Sequence, residues 1–172
     1  MRGYEFMVLI VMGVSGCGKS TTGRLLGTRL ALPFFDADDF HPASNVDKMR
    51  QGTPLVDGDR QPWLEALSIK IADWEQKGGA VLACSALKKK YRDILQSRCG
   101  KAVRFVYLSG TAALIRERML ARKDHYMPPA LLDSQFAALE PPRDAITVSI
   151  DAPPQTVVDA IVHALDKGGE SA

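Results

Sequence analysis

The chain has few aromatic residues (7% of 172), only three cysteines and three histidines, and almost no excess of charge, with 22 Lys+Arg against 20 Asp+Glu for a net +2. So small a net charge gives no bulk electrostatic reason to expect a nucleic-acid or membrane partner. Cys17, Cys84 and Cys99 are odd in number, widely spaced, and without a Cys-x-x-Cys or a paired His. Neither a disulfide framework nor a structural zinc site follows, and a reducing cytoplasm is the expected compartment. The longest apolar run, Val8–Val14, is far short of the roughly 20 residues that span a bilayer. Internal repeats and low-complexity segments are also lacking. What remains, 46% hydrophobic and 24% charged residues, excludes global disorder and suits one compact domain without staples.

Arg2 followed by Met7–Val11 faintly resembles a secretory signal, but the same residues lead straight into a glycine-rich motif that the mature protein needs. Residues 1–6 precede a second Met and are expected to be a dispensable leader or alternative start, leaving 7–172 as a single domain. Along that domain short apolar runs alternate with amphipathic stretches. Val8–Met12, Phe34–Asp36, Ala80–Cys84, Arg104–Leu108 and Ile146–Ile150 read as five buried strands. Leu64, Leu67, Ile71 and Trp74 fall on one helical face, as do Val157, Val158, Ile161 and Leu165 in a segment opened by Pro153-Pro154. Such alternation predicts a parallel sheet covered on both faces. Asp38–Arg60 and Arg122–Pro129 read as irregular, and are where binding or closing segments are expected.

The strongest chemical signal is Gly13-Val14-Ser15-Gly16-Cys17-Gly18-Lys19-Ser20, a G-x-x-x-x-G-K-[ST] phosphate loop placed after a strand and opening a helix. Its glycines let successive N–H groups face an anion, and the helix that follows presents its positive end to the same phosphates. Lys19 is placed to bridge β- and γ-phosphates and Ser20 to hold Mg²⁺, with Thr21 as a further nucleotide contact. The motif therefore implies a nucleoside triphosphate ligand, and ATP is the one expected. Several absences narrow the class. Neither the Asn-Lys-x-Asp segment that reads guanine nor a switch-like Asp-x-x-Gly after the third strand occurs, which disfavours a signalling GTPase. The third strand ends Ala83-Cys84-Ser85 rather than in the acids of an ATP-hydrolysing motor.

The acids lie instead on the second strand, in Phe35-Asp36-Ala37-Asp38-Asp39-Phe40-His41-Pro42. If that strand neighbours the first, they fall where open parallel sheets bind ligands. Along an extended segment Asp36 and Asp38 share one side, which suits one acid near the metal and one near an acceptor hydroxyl; Asp39 reads as a solvated turn residue. His41 stands between ligand contact and plain turn residue. Arg60, in a Pro- and Gly-dense loop entering a helix near Trp63, is suited to fork-like pairing with a carboxylate, with an ion pair to Asp57 or Asp59 as the plainer alternative. Ser85 and Lys88 are kept from the run Cys84–Arg92 as site candidates. Arg116, Arg118, Arg122 and Lys123 read as a basic helix entering the Pro128-Pro129 break, Arg118 toward the nucleotide and Arg122 toward the transferring phosphate, or else an exposed face with Glu117 as local partner.

Taken in order, the phosphate loop, Asp36–Pro42, Asp57-Gly-Asp-Arg-Gln-Pro-Trp63, Ala83-Cys-Ser-Ala-Leu-Lys-Lys-Lys-Tyr-Arg92 and Ser134-Gln-Phe136 to Glu140-Pro141 resemble the gluconokinase family, in the shikimate-kinase-like group of P-loop kinases. The resemblance runs from about Met7 to the end. It implies an α/β P-loop kinase fold with a five-stranded parallel sheet of order 2-3-1-4-5, helices on both faces and a small helical lid near 122–129. It further implies ATP- and Mg²⁺-dependent phosphorylation of D-gluconate on its 6-hydroxyl, and a homodimer. Lys19, Asp38 and Arg122 are then the expected catalytic residues, Asp38, His41, Arg60 and Lys88 the gluconate contacts, and Ser20 and Asp36 the metal positions. Asp124 departs from the family's usual small Gly in the lid, a difference that bears on lid geometry and not on the reaction class. The rivals are another small-molecule kinase, for shikimate or a nucleoside monophosphate, and a non-catalytic ATP-binding regulator.

Overall fold

Val8–Met12 contains no polar residue, and a strand of that composition is stable only when covered on both faces. The computed structural model, which describes residues 3–122 and 129–169, buries all five of these residues completely. They form β1, the middle strand of a five-stranded sheet. In chain order the elements are β1 (Val8–Met12), α1 (Lys19–Leu30), β2 (Phe34–Asp36), α2 (Ala43–Arg50), α3 (Asp57–Gln76), β3 (Ala80–Ala83), α4 (Lys89–Gln96), β4 (Val103–Ser109), α5 (Ala112–Ala121), α6 (Pro129–Ala138), β5 (Ile146–Ser149) and α7 (Pro154–Gly169). The spatial order is β2-β3-β1-β4-β5 and every pairing is parallel.

The period-2 alternation of β1 feeds two cores at once. Val8, Ile10 and Met12 face a layer with Trp63, Leu64, Leu67, Ile71 and Trp74 of α3, the predicted helical face among them. Leu9 and Val11 face the opposite layer, with Leu26 of α1 and Val157, Val158, Ile161 and Leu165 of α7. Phe35 on the edge strand stacks on Trp74 with ring centroids 4.2 Å apart, which closes the first layer.

Three local expectations change. The span Asp38–Arg60 is not irregular: a 3₁₀ turn covers Ala37–Phe40, α2 follows, and α3 begins at Asp57 rather than near Trp63. The early start has a cause. Asp59, third in the helix, accepts the Val56 N–H at 2.9 Å, and its own carbonyl accepts from Asn45 Nδ2 at 2.8 Å. Pro62, sixth in the helix, removes one N–H without stopping it. Arg122 lies past the end of α5 with extended backbone (φ −87°, ψ 111°), so it does not share a helical face with Arg118. Finally, β3 separates β2 from β1, so the acids reach the phosphate loop across a strand and not from a neighbouring one. The expected lid near 122–129 and Asp124 fall largely on residues 123–128, outside the described residues.

Helix α1 approaches β2 closely through two glycines. A Cβ on Gly27 would stand 2.9 Å from the Leu32 carbonyl oxygen, a backbone atom that cannot step aside cheaply. Alanine in a helix normally gains about 1 kcal/mol over glycine, but overpacking costs about 1–3 kcal/mol. Gly27→Ala should therefore destabilise the protein. Gly58→Ala, with nothing within 4 Å of its new Cβ, should be neutral or stabilising by up to about 1 kcal/mol. Urea midpoints of the two variants check this; a Gly27→Ala protein more stable than its parent would contradict the packing account.

Candidate active site at the carboxyl edge of the sheet

Parallel register brings three strand ends level: Val11 of β1 lies beside Ala83 of β3, and Ala83 beside Asp36 of β2. Beyond this row the chain leaves the sheet, and its freed backbone groups cross-link the outgoing loops. Cys84 N–H donates to Val11 O at 3.0 Å and Gly13 N–H to Ser85 O at 3.3 Å. The phosphate loop then curls between β1 and α1. Gly16 and Gly18 have φ of 81° and 91°, a left-handed region that residues with a Cβ avoid. Lys19 Nζ donates to the Val14 carbonyl at 3.1 Å, so the lysine bridges its own loop.

Asp36 and Asp38 stand at the floor of a cleft but not along one extended side as expected. Asp36 caps the 3₁₀ turn, its Oδ1 accepting the Asp38 N–H at 3.0 Å, while its Oδ2 accepts from Ser20 Oγ at 2.9 Å. The carboxylate thus ties the turn after β2 to the start of α1. Asp38 is open to the cleft (its side chain 83% accessible), yet protein walls surround it and the Asp36 charge is near. The walls, and then that charge, push its carboxyl above its ordinary pKa. Asp39 is exposed, as expected of a solvated turn residue.

Trp63 holds this turn. Its indole N–H donates to the Ala37 carbonyl at 2.8 Å, and its ring stacks on His41 at 4.1 Å between centroids. The imidazole is buried (4% accessible), 3.3 Å from Asn45 Nδ2 and 3.9 Å from Asp38 Oδ1, too far for a hydrogen bond to the carboxylate. Burial, and then the Arg60 charge, push its pKa down, which favours the neutral ring. Arg60 donates to the Leu55 carbonyl at 2.9 Å and to Tyr91 Oη at 3.4 Å, with its guanidinium over the Tyr91 ring and 4.0 Å from Asp57 Oδ1. Tyr91 in turn donates to Asp57, which also accepts from Lys90. These donors hold the Asp57 carboxyl well below the usual range. The Asp57 pair anticipated for Arg60 is therefore long; Asp59 pairs with Lys48 instead, at 2.9 Å.

Ser15, Lys19, Ser20, Asp36, Asp38, His41 and Arg60 all line one cavity of ≈ 570 Å³, and Ser85 and Arg122 line it too. That volume lies within the roughly 300–1,000 Å³ of small-molecule sites. Lys88, expected here, is not part of the lining; its Nζ lies 3.6 Å from Asp57 and over the Tyr91 ring. A second cavity of ≈ 660 Å³ shares Gly16, Gly18, Thr21 and Arg122 with the first and is walled by Arg118, Ile150–Pro154 and Val157. Arg118 donates to the Ile150 carbonyl there, and the basic helix finds its partner not in Glu117 but in Asp133, paired with Arg116. The loop thus has a cavity on either side.

One lining residue carried no charge to announce it. Gln135 of α6 accepts the Ser15 N–H at 2.7 Å and donates to Ser15 Oγ at 2.9 Å. The only sequence signal for it was its place in the Ser134–Pro141 block. The cysteines are not reactive groups of this site: burial raises the Cys17 thiol pKa and pushes Cys84 up to about 12.

The oxygen donors of Ser20 and Asp36 fit a hard divalent cation that completes its shell with phosphate and water. Among the described residues no cluster of three or more Asp, Glu, His or Cys side chains is placed for a metal.

Comparison with known proteins agrees with this geometry. The shikimate kinase family matches residues 15–161. A probable gluconokinase of Mus musculus is 46% identical over 92% of this chain and 97% of its own. The thermosensitive gluconokinase of Escherichia coli K12 is 47% identical over 83% of this chain and 75% of its own. Among solved structures, a gluconokinase from Sinorhizobium meliloti 1021 superposes with a TM-score of 0.88 at 37% identity, covering 95% of this chain and 94% of that one.

The raised Asp38 carboxyl is directly measurable. In a carbon-13 NMR titration its midpoint should lie above the ordinary aspartate value, and Asp36→Asn should lower it by removing the like charge. A midpoint at or below the ordinary value would contradict the crowding described here.

Proposed function

The chain belongs to the gluconokinase family, within the shikimate kinase family, and from that premise we propose that it transfers the γ-phosphoryl group of ATP to the 6-hydroxyl of D-gluconate, giving 6-phospho-D-gluconate and ADP. The observation that carries the reading is the juxtaposition in one cavity of a phosphate loop, a carboxylate open to solvent and an arginine: Lys19, Asp38 and Arg60. A cation for phosphates, a base for a hydroxyl and a fork for a carboxylate are what this reaction requires.

In this reading the triphosphate lies on those N–H groups of Gly13–Ser20 that are not already bonded to Ser85, Val14 or Gln135, with the nucleoside end in the second cavity, between the Arg118 guanidinium and the loop Ile150–Pro154. Lys19 exchanges the Val14 carbonyl for phosphate oxygens, so it follows charge without a large movement. Arg122, which lines both cavities, sits where negative charge develops during transfer. Ser20 and Asp36 would hold Mg²⁺, which neutralises phosphate charge when bound. Asp38 accepts the proton of the 6-hydroxyl; the surrounding walls and the Asp36 charge raise its pKa and so make it a better base than an ordinary aspartate. His41, neutral and stacked on Trp63, offers an uncharged wall to the polyol, and Arg60 takes the gluconate carboxylate. Lys88 acts on the substrate only indirectly, through Asp57 and Tyr91. We place the enzyme in the cytoplasm as a homodimer; the three free thiols support a reducing compartment, and the family resemblance supports the dimer.

The test is ADP formation with gluconate, shikimate and a nucleoside monophosphate side by side: turnover should be confined to gluconate, and preference for either rival acceptor would overturn the reading. Two substitutions then separate the roles. Asp38→Asn should lower kcat by about 10²–10⁴-fold with ATP affinity kept, the usual scale for a general base. A loss of less than about twofold would remove that role. Arg60→Lys keeps the charge but loses the planar fork, so the gluconate KM should rise with the ATP KM little changed. An unchanged gluconate KM would make Arg60 a helix-end ion-pair residue.

A further inference from the structure

Gln135 joins α6 to the phosphate loop through both a main-chain and a side-chain atom of a single loop residue. A backbone N–H can only donate, so the amide oxygen must be the atom facing Ser15 N, at 2.7 Å, and the amide nitrogen the atom facing Ser15 Oγ, at 2.9 Å. The assignment of the amide is therefore not free to flip. A hydroxyl has one proton to donate. With Oγ already accepting from Gln135, that proton is left over, and among the described residues it has no acceptor. Ser15 lines the cavity that also holds Lys19, Ser20 and Asp38.

The helix that carries Gln135 is not loosely placed. Leu132 is buried in the core, and Asp133 pairs with Arg116 of α5. Just past the helix, Glu140 N–H donates to the Leu87 carbonyl at 2.8 Å, its carboxylate accepts the Lys89 N–H at 2.7 Å, and its carbonyl accepts from Arg92 at 2.8 Å. The buried Arg92 also holds the Ala86 carbonyl at 2.7 Å, in the segment that follows β3. So the position of Gln135 is set by contacts with α5 and with the β3–α4 connection, and is imposed on Ser15 rather than taken from it.

We propose that Gln135 is a positioning residue for phosphoryl transfer: by engaging both the N–H and the Oγ of Ser15, it commits the Ser15 hydroxyl proton to an oxygen of the transferring phosphoryl group. The proposal rests on the kinase reading given above, and adds to it a donor that neither the phosphate-loop motif nor the acidic pair supplies. The donor is neutral and pre-aimed, so no reorganisation is needed when charge builds up on the phosphoryl oxygens.

A double-mutant cycle tests it, using Gln135→Leu, Ser15→Ala and the combination. Each variant is measured both for gluconate-dependent ADP formation and for the slow transfer of phosphate from ATP to water without an acceptor. Each single change should lower kcat roughly 10- to 100-fold, the scale of one hydrogen bond to a charged group, with the gluconate KM little altered. Because both act on the same proton, the double variant should be no more than about twofold worse than the poorer single. Thermal unfolding is followed in parallel; if Gln135→Leu lowers Tm, the near-isosteric Gln135→Met repeats the cycle. Losses that multiply, or a Gln135 variant within about twofold of the parent kcat, would overturn the proposal. A parent inactive with gluconate would sink the substrate assignment alone, since hydrolysis still reads the Gln135–Ser15 coupling.

Discussion

Five strands running one way must send every outgoing connection from the same edge of the sheet, and the site exists because of that constraint. Val11, Ala83 and Asp36 stand level across β1, β3 and β2, so the loops that follow them begin as neighbours although their residues are far apart in sequence. The strand order changes direction at β1, with β3 on one side and β4 on the other, and a crevice opens at such a point. The phosphate loop fills the base of that crevice. The Gly13 N–H is taken by Ser85, the Ser15 N–H by Gln135 and the Cys17 N–H by Val14. The loop's other N–H groups are the ones an anion would use, and its lysine holds a loop carbonyl at 3.1 Å.

Groups that do little chemistry themselves decide where the chemical groups point. Asp36 bridges Ser20 and the Asp38 N–H, and so ties the acid turn to the start of α1. Trp63 fixes that turn from behind, by a hydrogen bond to Ala37 and a stack on His41. Tyr91, held by Asp57, supports Arg60. The apolar layer under α3 and the polar surface above it are thus one device: the helix that buries Leu64, Leu67 and Ile71 carries Arg60 and Trp63 on its first turns. Burial and like charge then shift the Asp38 carboxyl upward and the His41 ring downward, each toward its uncharged form.

Much of this was legible in the sequence, for reasons that also explain the misses. Short apolar runs stand out, so all five strands were found to within a residue at either end. Only the inner strands β3, β1 and most of β4 are buried as expected; the edge strand β2 is half-buried and β5 alternates half-buried with exposed residues, because an edge strand is covered less completely. The phosphate loop is a local motif whose function depends on its own backbone. By contrast, Asp57-Gly-Asp-Arg-Gln-Pro reads as a turn because its composition is that of turns; it is helical because Asn45 holds the Asp59 carbonyl at 2.8 Å from another helix. Arg122 read as helical since no stop residue follows it directly, yet α5 ends one residue before it. Lys88 looked like a site residue by its closeness to the end of β3, but its side chain turns to Asp57. Gln135 was invisible as a site residue because it is uncharged and its partner lies 120 positions away.

The central claim is an orientation: the acceptor lies in the first cavity with its 6-hydroxyl toward Asp38 and its carboxylate toward Arg60. A crystal structure of the protein with gluconate and a non-hydrolysable ATP analogue tests it most directly. The account predicts the 6-oxygen within hydrogen-bond distance of the Asp38 carboxylate and the gluconate carboxylate paired with the Arg60 guanidinium. Gluconate bound the other way round, or outside the cavity that Asp38 and Arg60 line, would contradict it.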